Sequence, residues 1–309
     1  MEFILFLSLG ILTGCFFSIQ ASINSTLSRY TKTPLNASLI AFFVGSIILL
    51  TATFLWDFDQ LNMLDLSYPL YTYVGGAVSG VVYNVSNIIL FRKIGATNTT
   101  FLTVTSQIIS GAVFDSFGFL GLPVVQLSLK RIMGIGIMLL AVFLLQKTNR
   151  KKIHKEEETE KTSYFWLMFA LVAGVFPPLQ AIFNGQLRSA VRSPLVATLI
   201  SFLVGLIILF VVVLIVQKSI NFPTKDPSGK KLPWWIYIGG AFGVIVVGGT
   251  ILVVGELGSV LTSSLFLLGQ IIMSSLIDQF GLFGLRKTVI SRQKVISILL
   301  IILGLVIIS

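Results

Sequence analysis

The sequence predicts an all-α integral membrane protein with ten transmembrane helices, arranged as two five-helix repeats of opposite orientation. Three observations predict this fold: an apolar composition, an internal duplication and an uneven distribution of Lys and Arg. Hydrophobic residues make up 55% of the 309-residue chain and charged residues only 11%, whereas a soluble domain carries roughly 25% charged residues. Because so few charged residues cannot cover a water-exposed surface, most of the surface must face lipid.

Residues 14–50 and 174–210 are two copies of one sequence. They align without a gap at an offset of 160 and share 17 of 37 residues. A second block repeats at an offset of 163, where SQIISGAVFDSFGFLG at 106–121 returns as GQIIMSSLIDQFGLFG at 269–284. Such self-similarity indicates a duplicated structural unit. The predicted domains are a first repeat over 1–146, a charged linker over 147–162 and a second repeat over 163–309.

Continuous apolar runs, each long enough to cross or nearly cross a bilayer, predict the helices. They cover residues 3–27, 35–56, 70–91, 96–114, 130–146, 165–187, 195–217, 234–255, 259–277 and 293–308. The runs are unbroken rather than alternating, which excludes membrane β-strands. Glycine within them is compatible with helix, because it is common in membrane helices.

Lys and Arg are concentrated in alternate connections between these helices. One side of the membrane holds 18 of the 22, and the other holds only Lys130, Arg131, Arg188 and Arg192. Because cytoplasmic connections carry the excess of Lys and Arg, the central linker is predicted to be cytoplasmic and both termini to lie outside. The net charge of +10 thus indicates topology and attraction to anionic lipids, and its spread over short loops argues against nucleic-acid binding.

Each repeat contains five predicted helices, an odd number. The second repeat must therefore enter the membrane in the opposite direction from the first. Inverted repeats are typical of carriers that work by alternating access, with substrate sites near the midplane where the repeats meet. Duplication without carrier activity, as in a channel or a structural membrane partner, is the alternative.

Several recurring motifs resemble those of a known family. They are FFSIQASIN and FPPLQAIFN, PLNASLIAFFVG and PLVATLISFLVG, and FRKIGATNTT and VGELGSVLTS. The sequence is similar to the bacterial YdcZ-like family of the drug/metabolite transporter (DMT) superfamily, in its fused two-unit form. The resemblance implies a 5+5 DMT/EamA-like fold in the bacterial inner membrane, with the first four helices of each half around a central cavity and the fifth at the periphery. It does not imply a particular substrate.

One feature of related carriers is missing. The small multidrug carriers, which this family resembles in fold, have a membrane-embedded Glu on their first helix. Residues 3–27 contain no Glu. Exchange of cations for protons through such a carboxylate is therefore not expected.

Two glutamines are predicted near the middle of the fourth and ninth helices, Gln107 and Gln270. A buried amide requires hydrogen-bond partners, and polar residues in membranes usually face the bundle interior. Thr100, Thr103 and Gln107 share one helical face by their spacing. The two amides are candidates to contact substrate, and interhelical packing bonds are the alternative.

A Gln/Asn pair at i, i+4 occurs on the first helix of each repeat, as Gln20 with Asn24 and Gln180 with Asn184. Because the repeats are inverted, the pairs should point toward opposite openings of a cavity. These four amides are the remaining substrate-binding candidates. The alternative is helix packing, with each amide bonded to a neighbouring backbone.

Two acids are expected at the ends of the fourth and ninth helices, Asp115 and Asp278. A carboxylate at a helix C-terminus is opposed by the helix dipole, so each should have a cationic partner. Lys130 and Arg131 lie on the correct side for Asp115. The group is interpreted as a structural ion pair or as a gate whose pairing changes during transport.

The sixth predicted helix contains Pro177 and Pro178. Proline cannot bond to the carbonyl four residues earlier, so the carbonyls of Ala173 and Gly174 should be released. Such carbonyls are tolerated at membrane depth where a neighbour or a cavity satisfies them. The pair is a candidate hinge, or else an ordinary kink.

No motif indicates a cofactor, a metal or an enzymatic reaction. Leu12-Thr13-Gly14-Cys15 resembles a lipoprotein signal, but no Lys or Arg precedes the apolar run. One Cys and one His cannot form a metal cluster, and there is no phosphate-binding loop. We therefore expect a secondary carrier of a small neutral, zwitterionic or weakly charged solute, with lipid around it and a homodimer compatible with the fold.

Overall fold

The computed structural model describes residues 2–61, 67–122, 124–153, 164–284 and 292–308. These residues are almost entirely helical and form no β-sheet. The α-helices are α1 (Glu2–Thr31), α2 (Pro34–Trp56), α3 (Phe58–Leu61), α4 (Leu70–Phe117), α5 (Leu129–Ile153), α6 (Tyr164–Ala173), α7 (Phe176–Val191), α8 (Pro194–Gln217), α9 (Gly239–Phe280) and α10 (Arg292–Ile308).

Five of the described stretches are long and apolar enough to cross a membrane. They are Phe3–Thr31, Pro34–Trp56, Tyr164–Val191, Pro194–Gln217 and Trp234–Ile277. Many large apolar side chains on these helices are exposed, among them Phe54, Ile207 and Ile215. Exposed apolar surface of this extent requires lipid. The prediction of an all-helical membrane protein is therefore confirmed.

The second helix of each repeat begins with the same local sequence. Thr33 and Ser193 have extended backbone, and their hydroxyls accept hydrogen bonds from backbone N–H groups of the first helical turn. Pro34 and Pro194 then occupy the first helical position, where the missing proline N–H is of no consequence. Ser or Thr before Pro therefore marks the start of both α2 and α8.

The helix α4 consists of two antiparallel arms. Its 48 residues would extend about 72 Å if straight, at 1.5 Å per residue. Tyr83 and Gln107 are 24 residues apart in sequence, yet the amide nitrogen of Gln107 lies 3.2 Å from the Tyr83 hydroxyl. The chain must therefore reverse between them. The two arms correspond to the helices predicted at 70–91 and 96–114.

The helix α9 is interrupted by a glycine within its length. Gly258 has φ 74° and ψ 176°, a conformation that is accessible to glycine and strained for other residues. It separates an arm over 239–257 from an arm over 259–280. These arms correspond to the helices predicted at 234–255 and 259–277, except that residues 234–237 form a short 3₁₀ helix.

Two helix pairs join the repeats in antiparallel fashion. Thr33, before α2, donates a hydrogen bond to Gln217 at the end of α8 at 3.0 Å. Ser193, before α8, donates one to Asp57 just after α2. At the other pair, Gly134 of α5 lies beside Gly304 and Ile308 at the end of α10.

The remaining packing also crosses between the repeats. The helix α1 packs against both arms of α9, while α6 and α7 pack against both arms of α4. The core of the protein is thus formed largely between the two halves of the sequence, rather than within each half.

Candidate functional site

Each Gln/Asn pair lies against glycines of the opposite repeat. A Cβ atom built on Gly76 would overlap the side-chain oxygen of Asn184, and one on Gly239 would overlap that of Asn24. The glutamines repeat the arrangement one turn along. A Cβ on Gly80 would lie 2.5 Å from the amide nitrogen of Gln180, and one on Gly243 would lie 2.8 Å from that of Gln20. Only glycine leaves room for these amides.

The amides of these pairs are incompletely bonded. Asn184 is 1% exposed, and its side-chain nitrogen has no hydrogen-bond partner; the same holds for the side-chain oxygen of Asn24. Gln20 and Gln180 are half-buried, and the described residues provide no partner for either side chain. Buried polar groups are almost always bonded, so these atoms are suited to bind water or a solute.

Gln107 belongs to a cluster of four polar side chains between the arms of α4. Its amide nitrogen donates to the hydroxyl of Tyr83 at 3.2 Å, and Asn87 and Thr103 lie close to the same hydroxyl. Thr103 and Gln107 share one helical face, as their spacing predicts. Tyr83 and Asn87 were not predicted, although their i, i+4 spacing within an apolar run was a usable signal.

Gln270 has different surroundings from Gln107, its counterpart in the repeat. The hydroxyl of Ser18 donates to the backbone carbonyl of Gln270 at 2.8 Å. The side chain of Gln270 is half-buried and has no partner within the described part of the chain. It therefore presents an unbonded amide near the contact of α1 with α9.

Aromatic side chains surround that contact. The rings of Phe17 and Phe266 lie 5.1 Å apart at an interplanar angle of 55°. Those of Phe16 and Phe242 lie 5.8 Å apart and are nearly parallel, at 25°. Both pairs fall in the range of favourable aromatic contacts, and all four rings are half-buried.

Asp115 is fully buried and joins three segments. Its carboxylate accepts hydrogen bonds from the backbone N–H groups of Ser259 at 2.6 Å and Val260 at 3.0 Å. It also forms an ion pair with Arg131 at 2.5 Å, and Arg131 donates to the backbone carbonyl of Val125 at 2.7 Å. The carboxylate therefore caps the second arm of α9, where the helix dipole favours a negative charge.

The other members of the predicted gate are placed differently. Lys130 is exposed, and no acidic side chain among the described residues forms an ion pair with it. The side chain of Asp278 lies outside the described residues. Of the two cations proposed for Asp115, the structure thus brings only Arg131 to it.

Pro177 and Pro178 lie at the start of α7, directly after a break in the helix. The helix α6 ends at Ala173 and α7 begins at Phe176. At this break the N–H of Val175 bonds to Val172, so the carbonyl of Leu171 is free to accept a hydrogen bond from Ser106 of α4. A neighbouring helix thus satisfies a carbonyl that the break releases, as at other broken membrane helices.

Among the described residues, no group of three or more His, Cys, Asp or Glu side chains could hold a metal ion. The polar groups of the site are amides and hydroxyls, together with one paired carboxylate. Such groups can bind a solute by hydrogen bonds.

Comparisons with known proteins agree with this architecture. A family model described as "Putative inner membrane exporter, YdcZ" matches residues 5–144 and matches again at residues 165–307. A solved structure described as "Crystal structure of protein" is similar with a TM-score of 0.71, covering 99% of this chain and 95% of the other at 14% identity. That likeness shows a shared fold alone. No curated protein matches the chain.

Proposed function

The chain belongs to the YdcZ family of the drug/metabolite transporter superfamily, and from this premise we propose that it moves a small solute between its two repeats by alternating access. It is a multi-pass, all-helical transporter of the inner membrane. The description of the family as an exporter supports outward movement. The observation that carries the proposal is the set of unbonded amides held against glycines where the repeats meet.

An inverted 5+5 topology is part of this proposal. The antiparallel pairing of α2 with α8 and of α5 with α10 supports it, since these are the second and fifth helices of the two repeats. The distribution of Lys and Arg supports a cytoplasmic linker and external termini. The linker sequence from 154 to 163 lies outside the described residues. The domain bounds at 146 and 163 and a homodimer stay predictions.

Unequal exposure of equivalent residues supports alternating access. Ala21 is exposed and its counterpart Ala181 is half-buried; Asn24 is half-buried and Asn184 is buried. Two identical openings would expose these pairs equally. The side of Asn24 is the more open one here, which corresponds to the predicted cytoplasmic side. A second state with the exposures exchanged would complete a transport cycle.

The proposed substrate contacts are the six amides identified in the sequence. They are Gln20, Asn24, Gln107, Gln180, Asn184 and Gln270. Their side chains can donate and accept hydrogen bonds without introducing a charge. Gln107 and Gln270 are the central pair, and the other four lie toward the two openings.

Asp115 and Arg131 are proposed as a gate on the predicted external side. Their ion pair closes the junction between the end of α4 and the second arm of α9. Opening this side requires the contact between Asp115 and Ser259 to separate. Asp278 is proposed as the counterpart on the cytoplasmic side, and Pro177 with Pro178 as the hinge between α6 and α7.

Solute counterflow in proteoliposomes tests the proposal. A ligand is first selected by its thermal stabilisation of the purified protein across a library of small metabolites. Uptake of the labelled ligand that is accelerated by the same ligand inside the vesicles requires a carrier. Uptake that is insensitive to internal ligand would instead indicate a channel.

The variant with Gln107→Leu and Gln270→Leu tests the central amides. We expect transport to be lost while expression and thermal stability are retained. Unchanged uptake would show that these two glutamines serve only in helix packing.

A further inference from the structure

Two junctions related by the internal repeat have opposite chemistry. One lies between the two arms of α4, beside the break between α6 and α7, and the other lies between α1 and the two arms of α9. Their equivalence is visible in the contacts: a Cβ on Gly174 would overlap the backbone carbonyl of Thr103, and one on Gly14 would overlap that of Phe266. Thr103 and Phe266 are related by the offset of 163.

The first of these, here called the polar junction, is the cluster of Tyr83, Asn87, Thr103 and Gln107. Three of these positions lose much or all of their hydrogen-bonding capacity in the second repeat. There Tyr83 is replaced by Val246, Asn87 by Thr250 and Thr103 by Phe266, while Gln107 is replaced by Gln270.

The second, here called the aromatic junction, consists of Phe16, Phe17, Phe242 and Phe266. In the first repeat Phe242 is replaced by Ser79 and Phe266 by Thr103, and in the second repeat Phe17 is replaced by Pro177. The halves have therefore diverged in a consistent direction, one toward hydrogen bonding and the other toward ring contacts. Helix packing alone would not require one junction to be polar and the other aromatic.

Neither junction contains a charged side chain. The buried Asp115 is already paired with Arg131. A charged solute would thus find no counter-charge among the residues of the two junctions, and an unpaired charge is costly to bury. An uncharged solute meets no such barrier.

We infer that the solute is an uncharged molecule with an aromatic ring or similar flat apolar group at one end and amide or hydroxyl groups at the other. The ring would contact the aromatic junction, and its polar groups would bond to the polar junction. Because the junctions differ, the solute binds in a single orientation. This inference rests on the proposed function.

Five small probe molecules of matched size or chemistry test the inferred class of solute. Benzamide and N-acetyl-tyrosinamide have a ring and an uncharged amide; benzoate and benzylamine have a ring and a charge; acetamide has no ring. Thermal unfolding of the purified full-length protein is measured against the concentration of each probe. The first two should stabilise the protein at concentrations where the other three do not.

Two conservative variants locate the binding site. Tyr83→Phe removes one hydroxyl, and Phe266→Leu removes one ring. Each should weaken the apparent affinity for N-acetyl-tyrosinamide roughly three- to tenfold, as for one hydrogen bond or one aromatic contact. The controls Tyr164→Phe and Phe210→Leu, at residues that are 86% and 45% exposed, should leave the affinity unchanged.

Three results would overturn the inference. They are no stabilisation by either uncharged ring-bearing probe, equal or stronger stabilisation by a charged or ring-free probe, and affinities that neither Tyr83→Phe nor Phe266→Leu alters.

Counterflow separates this inference from the proposed function. If the probes bind as expected and none is exchanged across the membrane, the carrier proposal fails while the binding site stands. If a charged solute is exchanged at rates that both variants leave unchanged, the carrier proposal stands and the inferred solute class is wrong.

Discussion

Phe42 and Phe202 stack across the contact of α2 with α8, with ring centroids 5.0 Å apart at an interplanar angle of 30°. They are the same residue in the two copies of the repeat. Each ring also covers a glycine of the opposite helix, Phe42 over Gly205 and Phe202 over Gly45. A twofold relationship between the repeats therefore passes close to this pair. Phe202 also lies beside Gly243, where the amide of Gln20 packs.

Replacing Gly45 by alanine should destabilise the protein. The added Cβ would overlap the ring of Phe202 and lie 3.1 Å from the carbonyl of Gly240, and overpacking of this kind costs about 1–3 kcal/mol. Thermal unfolding in detergent measures the change. Gly136→Ala is the control, because a Cβ there has no neighbour within 4 Å. An equal effect of both substitutions would show that lost helix flexibility, rather than the ring, is responsible.

Replacing Asp115 by asparagine should destabilise the protein by about 3–5 kcal/mol, since Arg131 would remain buried without its counter-charge. The double variant Asp115→Asn with Arg131→Met should recover much of this loss. Lys130→Ala, at an exposed residue, should change stability by less than about 0.5 kcal/mol. The measurement is thermal unfolding of each variant. A stable Asp115→Asn protein would mean that the ion pair contributes little to the folded state.

The same variants test the gate. If separation of Asp115 from Ser259 opens the external side, Asp115→Asn should make that side more accessible to water. Labelling of a cysteine at Ser259 by a membrane-impermeant maleimide reports this, in a Cys15→Ser background. Equal labelling rates with and without the Asp115→Asn substitution would limit the contact to a structural role.

Adding a methyl group at Gly76 or at Gly239 should reduce transport more than tenfold. Either Cβ would overlap the side-chain oxygen of an asparagine in the opposite repeat, so the amide must leave its position. Counterflow of the selected ligand measures the effect. Gly185→Ala is the matched control within α7, since its Cβ would meet only a side-chain methyl of Val254 at 3.3 Å. Wild-type rates in both variants would contradict a role for Asn24 and Asn184 in substrate binding.

The predicted orientation is tested by cysteine labelling in intact cells, again in the Cys15→Ser background. A cysteine at Lys155 should react with an impermeant reagent only after the cells are permeabilised, because the linker is predicted to be cytoplasmic. A cysteine at Asp59, which is exposed just after α2, should react from outside. The opposite pattern would reverse the orientation, and labelling of both from outside would exclude the inverted topology.

Local features of the fold could be predicted from sequence because they depend on neighbouring residues. The starts of α2 and α8 follow from Thr33-Pro34 and Ser193-Pro194, and the break before α7 follows from Pro177. The reversals within α4 and α9 fall where the predicted helices were separated. The φ of 74° that Gly258 adopts at the reversal of α9 was not predictable, because glycine is compatible with several backbone conformations.

Long-range contacts of the site were less predictable. The spacing of Gln20 and Asn24 indicated that the two side chains share a helical face. It did not indicate that they would pack against glycines of the opposite repeat. Arg131 was expected near Asp115, whereas the backbone of Ser259 was not. Tyr83 was missed because a single tyrosine in an apolar run is common, and its role depends on Gln107, which lies 24 residues away. The roles of these residues in transport stay predictions.

By itself, the sequence determined that this protein is a duplicated, lipid-embedded helical transporter, because composition, repeat length and family motifs are properties of the chain that need no folding. Only the tertiary structure decided that the repeats pack mainly against each other and that their equivalent junctions differ, one polar and one aromatic. Contacts between residues far apart in sequence depend on the relative placement of helices. In this protein that placement is possible because glycines at Gly14, Gly76, Gly174 and Gly239 let backbone and amide atoms approach closely.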